Sequence, residues 1–107
     1  MEELIARAKE YFRKRFDGVI RIEFDNAPEA IWIDGRVEPP SISETAPPNL
    51  SGDFCLWRTT TDTLSRVLSP ETRRLESAYI AGRLTVSGDM AVMARLEVGP
   101  LAEVKHG

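Results

Sequence analysis

Ala78-Tyr79-Ile80-Ala81-Gly82-Arg83-Leu84-Thr85-Val86-Ser87-Gly88-Asp89-Met90 changes backbone type twice within one short stretch. Upstream of it, Ser69-Pro70-Glu71 starts a helix with a capping residue, a proline at the first helical position and an acid in the first turn. Leu75, Ala78 and Tyr79 fall on one face of that helix, and Gly82 stops it. Residues 84–87 then alternate as a strand. Gly88-Asp89 turns the chain into a last helix, with Asp89 as N-cap and Met90, Met93, Ala94 and Leu96 available for burial. A helix, a strand and a helix in such quick succession require the strand to lie in a sheet that the helices cover.

Working outward, residues 53–59 read as a strand, with Phe54, Leu56 and Arg58 on one face and Cys55 and Trp57 on the other. Thr60 or Thr61 caps a short helix whose buried stripe is Leu64, Val67 and Leu68. At the N-terminus, Leu4, Ile5, Ala8, Tyr11, Phe12 and Phe16 recur at helical steps and predict one amphipathic helix over 1–16. Glu2 and Glu3 sit in its first turn, Arg13, Lys14 and Arg15 in its last, and Gly18 supplies a left-handed stop. Residues 19–25 alternate as a strand, Asn26-Ala27-Pro28 turns, and residues 30–34 return as the second arm of an antiparallel hairpin. Between 35 and 52 the pairs Pro39-Pro40 and Pro47-Pro48 argue for loop or edge strand, with only 36–38 able to extend the sheet. Such a loop either gates a ligand site or is merely tolerated. The class is α+β: one domain over 1–107, with helices packed on a mostly antiparallel sheet.

Composition narrows the function. The chain has 107 residues, 14 Lys plus Arg against 17 Asp plus Glu, and a net charge of -3, which argues against a nucleic-acid binder held by phosphate contacts. Cys55 is the single cysteine and has no disulfide partner. No apolar run approaches the ~20 residues of a membrane span, and the N-terminus is not signal-like, so the expectation is a soluble cytoplasmic protein. His106 is the single histidine; there is no zinc spacing, phosphate loop or G-x-S-x-G elbow, and nothing calls for a cofactor. The chain is not expected to be an enzyme.

From Leu64 to Leu96, and above all over Ala78–Met90, the sequence resembles the sterol carrier protein type two family. The shared pattern is a small residue, an aromatic, two spacers, Gly, a basic residue, an alternating strand, then Gly-Asp before an apolar helix. Trp32-Ile33-Asp34-Gly35 resembles the family's second strand and turn, and residues 53–64 its third strand and helix start. Pro70 departs from the pattern, since members usually carry Gly there and a Pro nearer Leu75. The resemblance implies a curved five-stranded sheet with helices on one face, enclosing an apolar tunnel, and a carrier or binding module for a fatty acyl chain, a sterol-like molecule or an isoprenoid. In some relatives a longer C-terminal segment closes that cavity, and this chain stops soon after its last helix.

A carrier needs an open apolar cavity, polar groups only at its mouth, and flexible walls. The candidate lining is Ile33, Phe54, Leu56, Leu64, Val67, Leu68, Tyr79, Met90 and Met93. Methionines at helical spacing serve more often as core than as a ligand wall. Trp32 and Trp57 are either flanks of the mouth or core, and Arg58 and Arg83 either meet an anionic head group or face water. Arg13-Lys14-Arg15 allows at most transient membrane contact. The alternative is a non-catalytic interaction module, a homodimer or docking unit, or an accessory subunit presenting a hydrophobic substrate to a partner enzyme.

Overall fold

The computed structural model describes residues 1–50, 52, 54–69 and 75–96. The elements run α1 (Glu2–Tyr11), β1 (Val19–Phe24), β2 (Ala30–Asp34), β3 (Ser41–Ser43), β4 (Cys55–Thr59), α2 (Thr61–Leu68), α3 (Leu75–Ile80), β5 (Thr85–Gly88) and α4 (Ala91–Arg95). The five strands form one sheet in the order β3-β2-β1-β4-β5. The expected hairpin is present, antiparallel, with Ile20 opposite Ile33 and Ile22 opposite Ile31. β2 with β3 and β4 with β5 are also antiparallel, whereas β4 runs parallel to β1, so the sheet is mixed.

One face of the sheet carries the core. Ile20, Ile22, Phe24, Ile31, Ile33, Ile42, Cys55 and Trp57 meet residues of all the described helices in a single apolar cluster. Each large side chain so buried contributes roughly 1.5–3 kcal/mol. Alternation sends Arg21, Trp32, Phe54 and Leu56 to the opposite face, which no described helix covers. Trp32 is nevertheless buried there: the Arg21 guanidinium lies 5.1 Å from its ring centroid, and Phe54 meets it edge-on at 5.1 Å.

Four local expectations are corrected. The N-terminal helix ends at Tyr11 rather than at 16, so Lys9 occupies its last turn and the basic residues 13–15 follow it. Phe12 and Phe16 are still buried, because the chain leaves the helix and keeps both rings packed in the core, tilted against each other, with the Phe12 ring centroid 5.9 Å from that of Trp57. The left-handed residue there is Asp17 at φ 54°, not Gly18. The edge strand is Ser41–Ser43 instead of 36–38, and Ile42 is its buried residue. Tyr79, expected inside, is half exposed, as is Met90; Val92 takes the inward position on α4.

Candidate functional site

α3 docks through Leu75 and Ala78, which leaves Glu76 and Tyr79 on its flank. Gly82 closes this helix at φ 76°, where the Arg83 N–H donates to the Ala78 carbonyl (2.9 Å). β5 then returns along β4, and register sets Val86 beside Trp57 on the core face. Gly88 at φ 79° turns the chain again, and the Asp89 N–H donates to the Phe54 carbonyl at 3.1 Å. The Asp89 carboxylate accepts from the Ala91 N–H at 3.1 Å, but Asp89 is not the N-cap expected of it: α4 begins at Ala91, the cap position falls to Met90, and no side chain caps the helix there.

α4 is held at both ends. Val92 packs over Gly18, where a Cβ would lie 2.7 Å from the valine Cγ2. Arg95 donates from Nε to the Phe16 carbonyl and from Nη2 to the Asp17 carbonyl, each at 3.1 Å. With Val92 and Leu96 turned inward, Met90, Met93 and Ala94 are left facing α3. Between them is a pocket of about 370 Å³ lined by Leu75, Glu76, Tyr79, Val86, Met90, Met93 and Ala94. That volume lies at the small end of the roughly 300–1,000 Å³ typical of ligand sites. Half-exposed Tyr79 and Met90 stand where it opens to solvent. At its inner wall the Trp57 indole N–H donates to the Met93 sulfur at 3.2 Å, fixing that flexible side chain against the sheet.

Of the nine residues proposed from sequence, the structure brings Tyr79, Met90 and Met93 together here. Ile33, Leu64, Val67 and Leu68 are not part of this lining and belong to the buried apolar cluster, each at most 2% exposed. Phe54 and Leu56 point to the other side of the sheet, since the alternation that buries Cys55 and Trp57 turns them away. Thr60, not Thr61, caps α2: its Oγ1 accepts from the Thr63 N–H at 3.2 Å. Glu76 was not singled out by its sequence context; the signal for it is its three-residue step to Tyr79, which puts both on one flank.

Other candidates lie elsewhere. Trp32 and Trp57 are on opposite faces and do not flank one mouth. Arg58 pairs with Asp25 at 2.9 Å on the exposed face, and Arg83 is exposed outside the lining. The Cys55 thiol is pushed up to about 11 by burial, so it stays protonated and unreactive at neutral pH. The proline-rich loop sits at the far edge of the sheet from the pocket. There the Arg36 guanidinium grips both Asp34 carboxylate oxygens (2.8 and 3.1 Å) and donates to the carbonyls of Pro48 (2.9 Å) and Asn49 (3.0 Å). The Pro70 departure lies outside the described residues. Among the described residues no three His, Cys, Asp or Glu side chains gather to hold a metal ion, and no helix is long and apolar enough to cross a membrane.

Sheet order and helix placement together define a sterol-carrier-protein-2-like fold, and solved structures share it. The chain is similar to "UbiJ-SCP2 Ubiquinone synthesis protein", at 14% identity and TM-score 0.61 over 88% of this chain and 86% of that one. It is also similar to the apo form of sterol carrier protein 2 from Yarrowia lipolytica, at 12% identity and TM-score 0.59 over 88% and 80%. Comparison with family models and with curated proteins finds no match.

Proposed function

We propose that this chain is a non-catalytic binding module for a small hydrophobic molecule, which it holds in the pocket between α3, β5 and α4. The observation that carries this reading is the pocket itself, apolar except for one carboxylate and one phenol and walled by two methionines. Its occurrence in a fold shared with proteins whose names refer to sterol carriage and ubiquinone synthesis supports a lipid-like guest. Among the described residues the lining holds no nucleophile with a base in reach, and the reading assigns no chemistry on the guest to this chain.

Nile red, a neutral hydrophobic dye, should bind the wild-type protein with enhanced, saturable fluorescence. Ala94→Trp should abolish binding, because Ala94 is exposed at the wall and a tryptophan there fills the pocket without entering the core. An Ala94→Trp variant that folds normally and binds the dye unchanged would remove the pocket from consideration. A second reading, self-association through the mouth, is favoured by exposed Tyr79, Ile80 and Met90. Sedimentation equilibrium at high concentration tests it, and a strict monomer sinks it.

A further inference from the structure

We propose that the pocket selects its guest by head group: it accepts hydrophobes whose polar end donates a hydrogen bond, a hydroxyl or an ammonium, and rejects those ending in carboxylate or phosphate. The inference rests on the binding function proposed above and concerns Glu76. Leu75, Val86, Met90, Met93 and Ala94 offer a guest only apolar surface. The polar side chains of the lining are Glu76 and Tyr79, one helical step apart on α3, so both meet the same part of the guest.

An ionised carboxylate only accepts hydrogen bonds, whereas a phenol both donates and accepts. Among the described residues Glu76 has no hydrogen-bond or ion-pair partner, so its oxygens are free for a donor on the guest. Nothing in the described lining neutralises it. Arg95, on the same helix as Met93, directs its guanidinium away to the Phe16 and Asp17 carbonyls, and Arg83 stands outside the wall. Against the described lining an anionic head group would therefore meet a like charge at Glu76 with no cation of that lining to offset it. A hydroxyl exchanges a bond to water for one to Glu76, and an ammonium adds attraction between opposite charges.

The test uses three ligands with the same chain, dodecanol, dodecylamine and dodecanoate, each titrated against bound Nile red at neutral pH. Dodecanol and dodecylamine should displace the dye at concentrations at least about tenfold below dodecanoate, which corresponds to ~1.4 kcal/mol. Glu76→Gln keeps the size and removes the charge on a partly exposed helix position, so folding should be unaffected. In that variant dodecanoate should come within about threefold of dodecanol, and dodecylamine should lose its advantage over the alcohol. Dodecanoate competing as well as dodecanol in the wild type, or an unchanged ranking in Glu76→Gln, would overturn the selection while leaving the binding function standing. Failure of the dye and all three ligands to bind would instead remove the function on which the selection rests.

Discussion

Replacing Gly88 by alanine probes the turn that aims α4 at the pocket. Gly88 sits at φ 79°, and an added Cβ would press on the backbone carbonyl oxygen of Phe54. That oxygen also accepts the Asp89 N–H at 3.1 Å, so it cannot withdraw without breaking the bond that seats the helix. The left-handed backbone costs an L-residue roughly 1–2 kcal/mol. Crowding of this kind adds about 1–3 kcal/mol, and the stiffer unfolded chain returns about 0.4–1 kcal/mol. Gly88→Ala should therefore destabilise the fold by roughly 1–4.5 kcal/mol, centred at about 3, a large share of the roughly 5–15 kcal/mol that holds such a domain together.

Gly82 is the internal control. It has nearly the same backbone, φ 76°, but among the described residues nothing lies within 4 Å of its added Cβ. Gly82→Ala should cost only ~1 kcal/mol, the left-handed penalty less the unfolded-state gain. Urea denaturation of both variants, with midpoint and slope fitted together, separates the two costs. Equal destabilisation of the two would refute the claim that close approach to Phe54, rather than backbone handedness alone, makes Gly88 necessary.

Two further outcomes follow from buried ionisable groups. Burial raises the Cys55 thiol from 9.0 to about 11, so in that window the unfolded chain gives up its proton first. Stability should then fall as pH rises from 9 toward 11, and Cys55→Ala should flatten the dependence; identical urea profiles for the two proteins would contradict it. Hydrogen bonding from the Arg36 side chain holds the Asp34 carboxyl below its ordinary 3.8. Its contribution is present above that value and lost as pH falls through the lowered one, so Arg36→Ala should lose wild-type stability at neutral pH and show less further loss in acid. The same variant should be cleaved faster by protease within 44–50, since the Pro48 and Asn49 carbonyls lose their donor; an unchanged cleavage rate would show that the loop is held by something else.

Period and punctuation made most of the fold legible. The hairpin, the Thr60 cap and the alternation of Cys55 and Trp57 against Phe54 and Leu56 all follow from side-chain spacing, because alternation and capping are local. The helix end at Tyr11 did not, since periodicity records which residues are buried and not which carbonyls are bonded; Phe12 and Phe16 stay inside after the helix has stopped. β3 was obscured by paired prolines, and its sign was only Ile42 between two serines. The pocket was the least legible part. Core and cavity wall use the same apolar residues, so spacing could nominate Leu64 and Met93 alike, and only the tertiary arrangement puts Met93 but not Leu64 on the wall of this pocket. Glu76, a polar residue on an amphipathic helix, looks from sequence like any solvated position.

The hydrogen bond from Trp57 to Met93 gives the molecule an optical readout of its own interior. Indole emission responds to polarity and to nearby polarisable sulfur, and Met93 is shared between this indole and the pocket wall. A guest that shifts the thioether changes the surroundings of the chromophore without touching it. The chain's other tryptophan, Trp32, is on the far side of the sheet, so Trp32→Phe leaves a single tryptophan, which can be excited selectively over the two tyrosines and whose spectrum reports occupancy without any added label.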